Sequence, residues 1–217
     1  MPEPVRIAVI DSGVQPAHPH IDAGRLMPGL AVSGDDLDSE LDSCDALGHG
    51  TAVTAAIQNL SPDCICLPVK LFHDALRTTA RALVRAIDAA VGAEVDIINL
   101  SLGTVNASHQ QILSDAVRRA SAVGVLIVAA RAVDGAPCYP GSLDGVIGVS
   151  PDWDLPRDRW AARDGGFYAS GHPRPIPGVP QRRNLHGVSF AVANMTGLIA
   201  RGGRADVAYW RDQAVMA

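Results

Sequence analysis

Three polar residues sit where apolar runs meet small ones: Asp11 in AVIDSG, His49 in LGHGTAV and Ser189 in HGVSFAVANMTG. A serine hydroxyl is a weak nucleophile until an imidazole takes its proton. The imidazole in turn needs a carboxylate to fix its tautomer and steady its cation. The chain offers one of each, in the order Asp, His, Ser. Singly, each has an ordinary explanation. An Asp closing a strand caps the turn, a Gly-flanked His packs, and a Ser before an apolar helix is an N-cap. The chemical reading depends on elements that bring the three together.

Those elements alternate along the chain. VRIAVI (5–10), CICLPVKLF (64–72), VDIINLSL (95–102), VLIVAA (125–130) and GVIGVS (145–150) are the short Val/Ile-rich runs that parallel strands produce when both faces are covered. Between them, GTAVTAAIQNL (50–60), residues 75–92 and residues 108–124 read as helices. The second closes on Gly92. The third opens on a Ser108/Gln111 capping box and closes on Gly124. The proline-rich stretch 151–186 reads as loops with room for one short hairpin, the block ending at Gly197 as helix, and the tail from 202 as a short polar helix. Strands alternating with helices predict an α/β fold: a doubly wound, mostly parallel sheet with helices on both faces, in one domain spanning 1–217. In such sheets function collects in loops at the carboxyl ends of strands, which is where Asp11 falls.

Composition narrows the function. With 47% hydrophobic and 19% charged residues, the chain can bury one sizeable core. A formal charge of −5 without a long basic run argues against nucleic acid, and no apolar run is long enough to span a membrane. The N-terminus lacks the layout of a signal peptide, so the expected compartment is the cytoplasm. Cys44, Cys64, Cys66 and Cys138 read as plain buried thiols, with Cys64 and Cys66 on one strand face. The acid-rich stretch 33–45 lacks the spacing of a calcium loop and reads as a solvated loop. Neither a metal nor a cofactor is expected, and the oligomeric state is not legible.

AVIDSGVQPAHPHID, LGHGTAV, DIINLSLG, VLIVAARAVDG with YPGSLDGVIGVS, and GVSFAVANMTG resemble, in order, the Asp segment, His segment, cleft strand, oxyanion loop and Ser segment of the subtilases, the subtilisin-like serine proteases. The resemblance runs from about residue 5 to 200. It implies Asp11 as orienting acid, His49 as general base and Ser189 as nucleophile. It also implies that Ser101, Leu102 and Gly103 pair with an extended peptide by strand addition, while Ala130 and Ala132 line the pocket before the scissile bond. Arg131 could reach an acidic substrate side chain, or simply pack its stem on the loop.

The departures carry information. Val133 falls where the family's oxyanion loop usually carries Asn, and valine donates no hydrogen bond. Ala52, Ala55, Ala193 and Asn194 replace a customary His, Gly, Pro and His. QNLSPD is too short for the family's calcium loop, and the expectation is of a chain without the family's N-terminal propeptide. Small subtilases of this kind resemble those that trim leader segments from modified peptides. The expectation is therefore a slow, dedicated endopeptidase acting on a peptide or small protein. A peptide-binding pseudoprotease with an incomplete oxyanion hole is the alternative. A nucleotide-binding domain is a third reading, disfavoured because no Gly-rich phosphate loop follows the first strand.

Overall fold

The computed structural model describes residues 3–33, 36–38, 42–163, 165–204, 209, 210 and 212. In chain order the strands are β1 (Arg6–Asp11), β2 (Leu30–Ser33), β3 (Asp36–Asp38), β4 (Ile65–Lys70), β5 (Ile97–Leu100), β6 (Leu126–Ala130), β7 (Ala132–Val133), β8 (Ala136–Pro137), β9 (Val146–Asp152), β10 (Trp160–Arg163) and β11 (Gly166–Ser170). The helices are α1 (His49–Leu60), α2 (Ala80–Gly92), α3 (Gln110–Ala122) and α4 (Val188–Arg201). Nine strands form one sheet, ordered β10-β11-β9-β6-β5-β1-β4-β2-β3, while β7 and β8 pair separately. The pairs from β2 through β11 by way of β1 are parallel, and only the edge pairs β2·β3 and β10·β11 are antiparallel.

The central strands are buried on both faces because helices cover both. Successive side chains alternate across a strand. In β1, Ile7 and Val9 join α1 and α4 through Ile57, Phe190 and Ile199. Ala8 and Ile10 face the opposite way, toward Leu83 and Ile87 of α2 and Leu113 of α3. The sheet is thus doubly wound, as the strand–helix alternation requires. Among the described residues no helix is long and apolar enough to cross a membrane.

Local differences from the sequence reading have local causes. Helix α2 starts five residues after position 75, because the Thr79 hydroxyl caps it by accepting the Ala82 N–H at 3.0 Å. Gly92 stays inside that helix, and the left-handed position falls on Glu94 (φ 56°). The Ser108/Gln111 box does not form. Asn106 instead accepts the Ser108 N–H, Gln111 turns to Asp115, and α3 has no side-chain cap. The stretch 151–186 does hold a hairpin, β10–β11, but β11 also joins the main sheet beside β9. Part of the acid-rich segment read as loop is strand: β2 and β3 pair at the sheet edge, while 34–35 and 39–41 lie outside the described residues. Most of the tail from 202 lies outside them too. Cys64, Cys66 and Cys138 are buried, and Cys44 is half-buried.

Candidate active site

Asp11 ends β1 at the carboxyl edge of the sheet and is completely buried. Its main-chain carbonyl accepts the N–H groups of Leu71 and Phe72, which fixes the strand end against the segment after β4. Its Oδ1 lies 2.7 Å from Nδ1 of His49 and accepts the Ser12 N–H at 2.8 Å. Ser12 then links acid to helix, its Oγ accepting the Gly50 N–H at 2.9 Å. A Cβ at Gly50 would overlap the Gly13 carbonyl, so only glycine lets α1 begin this close to Asp11.

His49 opens α1 behind Gly48, whose φ of 82° suits glycine. The cap comes from further upstream. The Asp45 carboxylate accepts the N–H groups of Leu47, Gly48 and Thr51 and the Thr51 hydroxyl. Burial pushes the Asp45 pKa up, but the Thr51, Ser12 and Gly48 hydrogen bonds outweigh it and hold the acid below its ordinary range. His49 shows a similar contest with the opposite charge. Burial disfavours the imidazolium, yet the Asp11 hydrogen bond and the charges of Asp11 and Asp45 raise its pKa above the ordinary 6.5. That is the polarity a general base requires, because the cation is stabilised once the imidazole has taken the proton.

Ser189 occupies the first turn of α4, where its N–H has no intrahelical acceptor and the helix dipole is positive. Its hydroxyl donates to the Ser101 carbonyl at 3.1 Å, and the Ser101 hydroxyl donates to the Ser189 carbonyl at 3.1 Å. Asn99 supports this reciprocal clasp by donating to Ser101 Oγ at 3.0 Å, while the Thr196 hydroxyl donates to Asn99 Oδ1 at 2.9 Å. Asn99 and Thr196 are fully buried, so this support lies beneath the half-buried Ser189, inside the protein. The Phe190 ring lies 6.0 Å from the His49 ring.

His49 and Ser189 line one open cleft of about 500 Å³. Ser101, Leu102, Gly103 and Thr104 bound it on one side, Phe72 and Leu76–Thr78 on the other. Among the described residues, no main-chain partner takes the N–H or C=O of Leu102 or Gly103, so that edge is open to an added strand. Gly103 presses on the segment that follows β8, and a Cβ there would stand 2.5 Å from Cys138 Sγ and 2.7 Å from the Tyr139 carbonyl.

The other residues singled out from the sequence do not line this cleft. Ala130 ends β6, buried beside Val149. Arg131 lays its stem on Gly148 and its guanidinium on Gly166, where a Cβ would overlap it, so it faces β9 and β11. Ala132 and Val133 form β7, which turns through Asp134 (φ 50°) and Gly135 (φ 79°) into β8, and Val133 is 39% exposed. Asn184 donates to the Arg174 carbonyl. Sequence reading missed Ser12, Asp45, Asn99 and Thr196. The Asp45 cap was legible as an acid shortly before a Gly-His-Gly helix start, and Asn99 as a polar residue at a buried position of an alternating strand. Among the described residues no group of three or more His, Cys, Asp or Glu is disposed to hold a metal.

Comparison with known proteins gives a consistent result. A family model described as the subtilase family matches residues 3–150, which includes Asp11 and His49 and stops short of Ser189. Minor extracellular protease Epr of Bacillus subtilis (strain 168) is 34% identical over 158 residues, 67% of this chain and 23% of Epr, so the chain spans under a quarter of that relative. Thermitase of Thermoactinomyces vulgaris is 30% identical over 223 residues, 92% of this chain and 76% of thermitase. Among solved structures, the prenylagaramide maturation protease PagA superposes with a TM-score of 0.68 at 26% identity, covering 91% of this chain and 74% of PagA.

Proposed function

The chain belongs to the subtilase family, and from that premise we propose that it is a serine endopeptidase in which Ser189 attacks, His49 carries the proton and Asp11 orients and stabilises the imidazole. The observation that carries this reading is the 2.7 Å bond from a fully buried Asp11 to His49, with His49 and Ser189 facing one cleft beside an open strand edge. An extended peptide adds along 101–103, and its scissile carbonyl comes to rest at Ser189. The Ser189 hydroxyl leaves the Ser101 carbonyl and turns to the free nitrogen of His49. Oγ then bonds to the carbonyl carbon while its proton passes to the imidazole, and negative charge builds on the carbonyl oxygen. The Ser189 N–H and the α4 dipole meet that charge. Collapse breaks the C–N bond as His49 returns the proton to the leaving amine. Water, deprotonated by the same imidazole, then cleaves the acyl-enzyme.

The proposed role is a dedicated cytoplasmic processing protease that removes a leader segment from one partner peptide, with slow turnover. Val133 supports slowness, because one preorganised donor is worth roughly 10²–10³ in rate, and neither Arg131 nor Asn184 is placed to replace it. The likeness to a maturation protease supports the dedicated role. Within that role the reading extends to a precursor such as the small cross-linked subunit of quinohemoprotein amine dehydrogenase.

A second reading, a peptide-binding pseudoprotease, is favoured by the resting hydrogen bond of Ser189 to Ser101 rather than to His49. A serine-directed fluorophosphonate separates the two, since it labels Ser189 only where the hydroxyl is activated. Parallel digests of casein and a leader-bearing precursor test the dedicated role, which rapid general digestion of casein overturns.

A further inference from the structure

A second cavity, of about 450 Å³, shares no lining residue with the cleft of His49, Ser189 and the 101–104 edge. Its walls come from three segments: the loop after β1 with His18 and His20, the start of α1 from Asp45 to Ala55, and the loop between β11 and α4 with Arg174, Ile176 and Leu185. Gly48 and Thr51 flank His49, and Leu185 stands four residues before Ser189. The Gly187 N–H bonds the Gly171 carbonyl, which ties the approach to Ser189 to the wall that carries Arg174. With walls adjoining both His49 and Ser189 along the chain, the cavity is within reach of a segment that continues beyond a bond cut at Ser189.

The lining specifies a ligand. Leu47, Ile176 and Leu185 are 37%, 40% and 55% exposed and surround one opening, a concentration of apolar surface that marks a binding site. Arg174 spends one guanidinium N–H on the His20 carbonyl at 2.9 Å, and among the described residues no carboxylate lies within ion-pairing distance of it. The one acid in the lining, Asp45, already receives four hydrogen bonds at the start of α1. Burial and the neighbouring charge of Arg174 hold the His20 pKa below its ordinary value, so the fixed charges of the lining are the Arg174 guanidinium and the hydrogen-bonded Asp45 carboxylate.

We propose that this cavity selects the leaving segment of the substrate, seating an aliphatic or aromatic side chain against Leu47, Ile176 and Leu185 and holding a neighbouring carboxylate on Arg174. The proposal rests on the endopeptidase reading for the direction of the chain. It adds a requirement downstream of the cut that the catalytic residues do not impose.

Binding of labelled peptides to the Ser189→Ala protein, read by fluorescence anisotropy, tests it without cleavage. Three peptides share one sequence up to the scissile bond and continue with Leu-Glu, Leu-Gln or Ala-Glu. A charge-assisted hydrogen bond in a partly buried site is worth roughly tenfold in affinity. Leu-Glu should therefore bind about tenfold tighter than Leu-Gln, and also tighter than Ala-Glu. That Glu preference should fall below about twofold when Arg174→Gln is added and survive in part with Arg174→Lys. Equal affinity for Leu-Glu and Leu-Gln overturns the proposal, as does a preference that persists in Arg174→Gln. If Arg174→Gln does not fold, the Glu/Gln comparison and the Lys variant still decide. The same peptides offered to the protein with Ser189 intact separate the two claims. Selective binding without hydrolysis counts against the endopeptidase reading alone, and hydrolysis without selectivity counts against the cavity alone.

Discussion

Replacing Asp11 by Asn tests the site most directly, because it removes one charge and leaves the shape. Asp11 is fully buried and its Oδ1 lies 2.7 Å from His49 Nδ1. At an effective dielectric of about 20, a full charge pair at that distance is worth about 6 kcal/mol. The imidazolium exists only after Ser189 has given up its proton, so most of that energy belongs to the transition state. A loss of about 5.5 kcal/mol there is roughly 10⁴-fold in kcat, the scale seen when the acid of a Ser-His-Asp site is made neutral. The pH profile adds a sign. His49 must be neutral to act, and Asp11 helps hold its pKa above 6.5, so wild-type kcat/KM should fall as pH drops through that raised value. In Asp11→Asn burial dominates, and the acid limb should shift to lower pH while the plateau collapses. Initial rates on a cleavable peptide between pH 5 and 9, with circular dichroism as a fold check, measure both. A folded variant with wild-type kcat, or with its acid limb unmoved, refutes the coupling of Asp11 to His49.

Three further perturbations probe the surroundings. Val133 is held in the β7–β8 hairpin outside the lining of the His49 and Ser189 cleft, so Val133→Asn should leave kcat on short peptides little changed; a rise toward the roughly 10²–10³ that one oxyanion donor supplies would show that position 133 reaches the oxyanion. Gly103→Ala forces a Cβ to within 2.5 Å of Cys138 Sγ, and should cost about 1–3 kcal/mol of stability together with peptide affinity, with Cys138→Ala restoring part; wild-type melting and cleavage would show that the wall yields freely. Asn194→Ala removes the acceptor of two Arg157 hydrogen bonds and the donor to the Ser170 and His172 carbonyls. Burial and the nearby Arg174 already hold the Arg157 pKa down to about 10, so this loss should cost roughly 3 kcal/mol and lower Tm by roughly 6–12 °C; an unchanged melt refutes a structural role for this hub.

What the sequence made legible follows from how each feature is encoded. The five central strands and the helix-first positions of His49 and Ser189 are local patterns: apolar runs of strand length, glycines before a helix, small residues around a serine. The hairpin through Val133 was also encoded, since Asp-Gly between short extended pairs is a strong turn signal, but it sits inside a motif read for its chemistry and not its backbone. Arg131 illustrates a different limit. Nothing in AARAVDG says which side of the sheet edge its stem will follow; Gly148 and Gly166, far along the chain, leave the space it occupies. Asn194 likewise reads as a packing change in the sequence, whereas in the fold Arg157 of the β9–β10 loop and the carbonyls of Ser170 and His172 at the end of β11 converge on it. Features that depend on partners distant in the chain, such as Ser12 with Gly50 and Asn99 with Thr196, need the assembled sheet.

Asn99 also shows why the strand register belongs to the site and not only to the core. Side chains in β5 alternate between the two helical layers, with Ile97 toward α1 and α4 and Ile98 and Leu100 toward α2 and α3. That alternation points Asn99 at Thr196 and lets it hold the Ser101 hydroxyl, which in turn holds the Ser189 carbonyl. A slip of one residue would turn Asn99 into the opposite apolar layer and leave Thr196 unpaired. The segment continuing from β5 supplies the open edge at Leu102 and Gly103. The bond that holds Ser189 and the open edge proposed to receive the peptide are therefore set by one register, within three residues of each other. A peptide hydrogen-bonded along that edge is positioned against Ser189 by the fold itself, which lets binding energy spent far from the scissile bond reach the reacting atoms as orientation.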